Sequence, residues 1–589
     1  MNIEWSLNFY PNYSNKESSP GSIQIVPTNT NWNDFTHNFN ALITVTPHDE
    51  RPPLNLHAYV VPTSERFRRL QEWIEKDGSA VGSTSASGVS VFPTGRLVFA
   101  TLLASEQGYS ELTKWVKGRA ELESLLLRVN DIVWLGQGPV YGPMIEQLLR
   151  GRAFALGVLR SPSVYRAMRR GLRSLLGLAV VALPETRKDF VFRSCLHGFE
   201  GSTHELSVEF RDSDLLEDRI HCLIGVNGVG KTRLLRELVL TLGDRANLGK
   251  YEPKTFHEFS EAVSNNEYDG EAYTRVLVFS TAGERRFPVV ANAGEYFEYQ
   301  YFSLAGVGDM DRDRNRALLS TRLIVDLIRD EGKFGNGAVD YGLTRLHLLK
   351  RTLRDHVDLD QLYIPIDPSL GSDSKVYEDE NGQLYVRVLD IPAMNEQRRL
   401  EFTSLVSLDQ GVGFFVPNGI GRAIRPLYLS SGQNVFFRFA LRLISSIDTG
   451  TVVIIDEPET HLHPNLVCEL ITLLYSVLEA TKSIALVATH SAYVVREVPT
   501  HCVHVCSFVG DSRQVEIGHV RMKTLGASIE SISQAVFGDA TVKKFHEQLA
   551  REVVSSGISK EAVLEKFGAM VSPELLIEIR TLMGEGGKS

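Results

Sequence analysis

Long apolar runs are missing from this sequence. The longest, Leu175 to Leu183, is about half of what a membrane span requires, so no transmembrane segment is expected and the protein is read as soluble. The opening Met1-Asn2-Ile3-Glu4-Trp5 lacks a charged region followed by an apolar core, so no secretory signal is expected and the cytoplasm is the expected location. Cysteine is scarce: five residues (195, 222, 468, 502, 506) with no C-x-x-C pair exclude a disulfide framework and a zinc ribbon and suit a reducing compartment. There is no excess of positive charge either. A net charge of -10 restricts any nucleic-acid surface to a local patch. No sustained heptad region occurs, which excludes a long coiled-coil arm. What remains is 589 residues of ordinary globular composition, enough for two to four domains.

The most informative stretch is Gly225-Val226-Asn227-Gly228-Val229-Gly230-Lys231-Thr232, between the apolar His221-Cys222-Leu223-Ile224 and the helical Arg233-Leu234-Leu235-Arg236-Glu237-Leu238. This is strand, glycine loop and helix with the full G-x-x-x-x-G-K-[ST] pattern. Gly225, Gly228 and Gly230 let backbone N–H groups, Asn227 included, curl around a phosphate, and the helix start adds partial positive charge. Lys231 reaches the β- and γ-phosphates, and the Thr232 hydroxyl holds Mg²⁺. The chain is expected to bind ATP.

Residues 1–185 carry no recognisable motif and read as a separate α+β domain, with short strands at Leu42–Val45 and Ala58–Val61 and a helix through Glu121–Leu127. Between Gln147 and Pro184 there are seven arginines and no Asp or Glu. Arg166, Arg169, Arg170 and Arg173 share one helix face, a stripe suited to nucleic-acid phosphates or to carboxylates elsewhere in this acidic protein. The ATPase domain is expected over 186–505, with an inserted subdomain at about 285–425 that contains a hairpin turned by Asn381-Gly382. A helical tail fills 506–589. Arg351 to His356 matches an R-x4-H spacing that arises by chance in a chain of this composition.

Thr451-Val452-Val453-Ile454-Ile455-Asp456-Glu457 reads as a buried parallel strand that delivers two carboxylates to its C-terminal edge. Asp456 is placed to hold Mg²⁺, and Glu457 to orient or deprotonate the attacking water. The next strand, Ser483 to Ala488, ends at Thr489-His490, where the imidazole meets a γ-phosphate. Cys502, His504 and Cys506 alternate onto one face of a strand, open to a zinc reading or to a buried sheet edge.

The order of these motifs resembles the ABC-type ATPase superfamily. Gly225–Thr232 is similar to its Walker A loop, Leu429-Ser430-Ser431-Gly432-Gln433 to its signature motif, Val452–Glu457 to Walker B with the catalytic glutamate, and His490 to the switch histidine. Asp456-Glu457-Pro458-Glu459-Thr460-His461-Leu462-His463-Pro464 is similar to the DEPExxLHP class, which includes RecF- and SMC-like repair ATPases, OLD nucleases and anti-phage ATPases such as that of Septu. The resemblance implies an α/β ATPase domain with a mixed sheet and a large helical insertion, and a head-to-tail homodimer sandwiching two ATP molecules. Ser430, Gly432 and Gln433 of one copy then cap the γ-phosphate held by the other, and His461 and His463 lie at the dimer contact. Ser431 stands where the signature usually has glycine, and Gln300 is the only candidate for a Q-loop glutamine. The implied role is a nucleotide-driven switch in anti-phage defence with a separate effector such as a nuclease, the tail lacking the acidic cluster of an OLD nuclease. A RecF-type DNA-repair ATPase is the alternative and a transporter subunit a third.

Overall fold

In a computed structural model, the chain is described apart from residues 1–3, 12–18, 29–36, 79–96, 137–140, 176–188, 246–265, 282–286, 288–297, 305–319, 329–343, 367–374, 395–413, 419–423, 510–513, 538–544, 568–570, 586–589 and some shorter stretches. The first part builds a five-stranded sheet from β1 (Ser6–Phe9), β2 (Ser22–Pro27), β3 (Asn40–Thr46), β4 (Leu54–Pro62) and β5 (Phe99–Leu103), paired in chain order. Helices α1 (Glu106–Trp115), α2 (Arg119–Arg128) and α3 (Pro162–Leu175) close it. One apolar cluster, from Trp5 to Leu175, fills the space between them.

The central sheet is built from β8 (Ile220–Gly225), β10 (Arg275–Ser280), β11 (Glu298–Ser303), β17 (Val452–Asp456), β18 (Ile484–Thr489), β19 (Val503–Phe508) and β20 (Val515–His519). Across the sheet these seven strands stand in the order β11-β10-β17-β18-β8-β19-β20. All pair parallel except β20, which runs antiparallel to β19. The side-chain period of two sorts each strand between two cores. Val453, Ile455, Leu277, Phe279, Ala485 and Val487 face a cluster built with α6 (Ser431–Ser446) and α7 (Pro464–Thr481). Val452, Ile454, Val276, Val278, Ile484 and Leu486 face α4 (Lys231–Arg245) and a small sheet of β6 (Phe190–Ser194), β7 (His204–Val208) and β9 (Glu267–Gly270). Burial on both faces is why these strands read as unbroken apolar runs.

Two boundaries move relative to the sequence reading. Residues 298–303 fall inside the expected insertion, yet they form β11 and pair with β10, so they belong to the central sheet. Past residue 505, β19 and β20 complete that sheet before the helices α8 (Ile529–Phe537), α9 (Phe545–Ser555), α10 (Lys560–Phe567) and α11 (Pro573–Glu585) begin. The inserted region contains α5 (Arg345–Leu353) and also five antiparallel strands: β12 (Tyr363–Ile366), β13 (Val376–Glu378), β14 (Leu384–Arg387), β15 (Phe415–Pro417) and β16 (Ile424–Pro426). They form one sheet in the order β13-β14-β12-β15-β16. The Asn381-Gly382 turn joins β13 to β14, with Gly382 at φ +77°. Leu348, Leu349, Ile364 and Val386 share the core of α6 and α7, so insertion and central sheet bury one common apolar cluster.

The arginine stripe on α3 is partnered within the chain. Arg170 lies 3.7 Å from Asp448, Arg169 donates to the Ser445 carbonyl at 3.3 Å, and Arg166 sits 3.9 Å from Glu106. The side chain of Arg173 lies outside the described residues. Ser445 and Asp448 mark the C-terminal end of α6, where two more arginines converge. Arg275 of β10 donates to the Ser446 carbonyl at 2.7 Å and Arg345 of α5 to that of Ile444 at 2.5 Å. Both also lie within 4 Å of Asp448. A helix C-terminus exposes unpaired carbonyls and partial negative charge, so cations from three separate parts of the chain satisfy it.

At the other side of β8, His221 and His504 stack, with Nδ1 and Nε2 3.0 Å apart. Burial holds both imidazoles below their ordinary range, His504 at about 3. The unfolded chain takes up protons that the folded pair refuses, so stability is lost as pH falls from about 6.5 towards 3, at about 1.4 kcal/mol per pH unit for His504. Melting temperature measured across that range should show a shallower acid slope for His504→Gln than for wild type. Equal slopes would remove His504 from the account.

Candidate active site

Parallel strands place their C-terminal ends at one edge of the sheet, and the loops leaving that edge form the site. After β8 the chain turns through Gly225–Gly230 into α4. A Cβ on Gly225 would lie 2.2 Å from the Cys506 carbonyl oxygen, so no larger residue fits beside β19. Gly228 and Gly230 hold φ of +82° and +99°, a region in which L side chains are strained. The loop lines a cleft of about 600 Å³. It is lined by Asn227, Gly228, Gly230, Lys231 and Thr232, by Glu457 and His490 from beyond the ends of β17 and β18, and by Phe199, Arg233 and Arg236.

The functional side chains touch one another. The Thr232 hydroxyl donates to Asp456 Oδ1 at 2.7 Å, and the Ser280 hydroxyl at the end of β10 donates to Asp456 Oδ2 at 3.1 Å. Asp456 is fully buried, and these bonds compensate its carboxylate. Lys231 Nζ donates to the Gly225 and Val226 carbonyls at 2.8 and 3.2 Å and sits 2.9 Å from His490 Nε2. Burial pulls the Lys231 pKa below its ordinary value, opposed by the nearby carboxylates of Glu457, Glu459 and Asp456. His490 is likewise depressed, first by burial and then by the Lys231 charge, which favours a neutral ring. Its Nε2 is 3.8 Å from Glu457 Oε1. Glu457 itself adopts a left-handed backbone, φ +53°.

The signature residues stand elsewhere. Ser430 is the N-cap of α6: its hydroxyl accepts the Gln433 N–H at 3.3 Å, and the Gln433 side chain accepts the Ser430 N–H at 3.1 Å. This capping box satisfies the first helical turn from within. Ser430, Gly432 and Gln433 do not line the cleft. Ser430 is exposed, as is Tyr428 at 77%, and Gly432 and Gln433 are half-buried.

Sequence reasoning passed over Phe199, Arg233, Arg236 and Ser280. Phe199 sits between β6 and β7 with no motif around it, whereas Ser280 was visible as the polar residue ending an apolar strand. Gln300 pairs with Leu277 in the middle of β11 and not at the phosphate edge, so Ser280 is the side chain that β10 supplies there. Cys502, His504 and Cys506 do not form a ligand cluster. His504 pairs with His221, Cys506 packs with Val229 and Val515, and the described residues that converge within 4.8 Å are Asp218, His501 and Cys502. His356 of the R-x4-H match is engaged with Glu469 of α7. His463 is the N-cap of α7. Among the described residues, no helix is long and apolar enough to cross a membrane.

Comparison with known proteins adds a family match over residues 341–496, to a model described as "AAA domain, putative AbiEii toxin, Type IV TA system". The match takes in Ser430, Asp456, Glu457 and His490 and leaves the phosphate loop outside it. Protein ea59 of Escherichia phage lambda is 25% identical over 395 residues, covering 67% of this chain and 68% of that protein. Among solved structures, the SMC head domain from Thermotoga maritima matches at 13% identity and a TM-score of 0.26, over 57% of this chain and 100% of that one. UvrA2 from Deinococcus radiodurans matches at 13% and 0.28, over 62% of this chain and 42% of that one. A glycine loop between strand and helix and a buried strand ending in Asp456-Glu457 beside it form the site of an ATPase on an α/β fold, and the family match takes in the second of these two elements.

Proposed function

We propose that the chain is an ATP-driven switch in a bacterial anti-phage defence system, working as a head-to-tail homodimer with a separately encoded effector, a nuclease in the first instance. The observation that carries this reading is the placement of the two ends of α6. Its N-terminus, with Ser430 exposed and Gly432 and Gln433 half-buried, does not line the cleft of its own chain, and a second copy would bring it against the γ-phosphate. Its C-terminus is held by Arg169 and Arg170 of the N-terminal unit. A rigid helix of 16 residues thus joins the site of nucleotide capping to the part of the chain that carries no catalytic motif. A bound nucleotide that favours the closed dimer shifts the equilibrium of whatever surface that part presents. The family description, which names a toxin of a Type IV TA system, supports a role in such paired systems.

Within the site, the contacts support the following roles. The loop N–H groups and Lys231 bind the phosphates, and Phe199 offers the base an aromatic wall. Thr232 and Asp456, oxygen donors already 2.7 Å apart, suit Mg²⁺, and Ser280 orients the carboxylate. An ion held by these two residues would neutralise charge on the phosphates. Glu457 is the general base for water, and neutral His490 donates a hydrogen bond to the γ-phosphate.

Ser430→Arg tests the sandwich. A bulky cation in place of the capping hydroxyl should cut ATP turnover at least about 10²-fold with little change in nucleotide affinity, since an intact phosphate loop remains in each copy. Unchanged turnover would exclude capping in trans. The effector is tested by recovering tagged Glu457→Gln protein with ATP and Mg²⁺ from its native host and identifying co-purifying proteins by mass spectrometry. A stoichiometric nuclease or toxin supports the switch, and nuclease activity of the purified chain alone would overturn the two-component scheme. The second reading, a DNA-repair ATPase, requires DNA to stimulate turnover through the α3 arginines with a steep salt dependence. The contacts of Arg166, Arg169 and Arg170 within the chain weigh against it.

A further inference from the structure

Strands β17 and β18 leave the sheet side by side, and the turn after each is tied back to the other. The Glu457 N–H donates to the Ala488 carbonyl at 2.9 Å. Two residues further on, Glu459 Oε1 accepts both the His490 backbone N–H at 2.5 Å and the Thr489 hydroxyl at 2.9 Å. Glu459 lies on the single 3-10 turn Pro458–His461, and its other oxygen, Oε2, is buried as well. Between the two ties stands Glu457 in its left-handed conformation, a state that a non-glycine residue keeps only where the surroundings impose it. A carboxylate in such a place costs desolvation, and burial pushes the Glu459 pKa up. Turn geometry alone does not need a hydrogen-bond acceptor there, whereas two donors from the end of the neighbouring strand do.

We propose that Glu459 is a positioning residue for ATP hydrolysis: by accepting from the Thr489 hydroxyl and the His490 N–H it fixes the imidazole and the Glu457 carboxylate, 3.8 Å apart, on the same phosphate. Glu459 does not line the nucleotide cleft, so its effect is transmitted through His490 and Glu457. The inference rests on the reading of those two residues as the hydrolytic pair. Misplacing reacting groups by an ångström costs about 10²-fold in rate, and a loss confined to kcat marks an arrangement needed only in the transition state.

The experiment compares Glu459→Ala with Glu459→Gln, which keeps a carbonyl oxygen for both donors. Steady-state ATP turnover and binding of a non-hydrolysable ATP analogue are read for each. Glu459→Ala should lower kcat by about 10²-fold with KM and analogue affinity within about twofold, and Glu459→Gln should recover most of the rate. In the Glu459→Ala background, His490→Ala should add little, because both changes remove the same arrangement. Multiplying losses, equal behaviour of Ala and Gln, or weakened analogue binding would overturn the proposal in favour of a general structural staple. Should Glu459→Ala fail to fold, Thr489→Val removes one of the two donors and should give a smaller loss in kcat at unchanged analogue affinity; no loss in kcat would overturn the proposal. Wild-type turnover in Glu457→Gln would sink the hydrolytic pair itself and this inference with it. A silent Glu457→Gln beside a fully active Glu459→Ala would sink the inference alone.

Discussion

Glu457→Gln should lower ATP turnover by about 10²- to 10⁴-fold while nucleotide affinity stays close to wild type, the range removed with a positioned general base. The substitution keeps size and hydrogen-bonding capacity and deletes only the proton acceptor. Glu457 lines the cleft but makes none of the Lys231 bonds to the loop carbonyls nor the Thr232 bond to Asp456, so those contacts are left in place. Binding without hydrolysis should trap the closed state, visible as ATP-dependent dimer in analytical ultracentrifugation. Hydrolysis at the wild-type rate would remove Glu457 from the catalytic role and leave water activation without a residue.

Lys231→Ala should act one step earlier, weakening ATP binding by about 10²-fold. Charge-assisted hydrogen bonds contribute about 1.5–3 kcal/mol, and the upper end of that range corresponds to such a loss. In this structure Nζ rests on the Gly225 and Val226 carbonyls and against His490. Lys231 also lines the cleft, so its ammonium group is within reach of a phosphate bound there. Titration with a fluorescent ATP analogue measures the change. Retained affinity would mean that the glycine loop holds phosphate through its backbone alone. Lys231→Arg separates charge from shape: a guanidinium is too broad for a pocket closed by Gly225, Val226 and His490, and should rescue little.

Much of the site was legible because its chemistry is local. A loop that curls around phosphate needs glycines at fixed spacing, and a strand buried on both faces needs an unbroken apolar run before its terminal carboxylates. Gly225–Thr232 and Val452–Glu457 show these patterns without help from the rest of the chain. Phe199 gave no such signal. It reaches the cleft from a connection between β6 and β7, and nothing in its neighbours encodes that position. Glu459 was visible as part of a motif, but its bond to the His490 backbone spans 31 residues and depends on β17 and β18 being adjacent in the sheet. The α3 arginines show the reverse case, in which the sequence left nucleic-acid phosphates and carboxylates within the chain both open. Their spacing puts them on one helix face, yet spacing says nothing about what the face meets, and the partners of Arg169 and Arg170 lie more than 270 residues away at the end of α6.

By itself the sequence determined that the chain holds a nucleotide phosphate and which residue types surround it, because backbone curvature, strand burial and capping are set by neighbours within a few positions. The tertiary structure decided that Ser280 and not Gln300 stands beside Asp456, and that Ser430 lies outside the cleft. It also brought Arg169, Arg275 and Arg345 to one helix end. Those outcomes depend on strand order and on the docking of distant elements, which arise from the summed burial of two apolar cores and leave no local pattern in the residues they bring together.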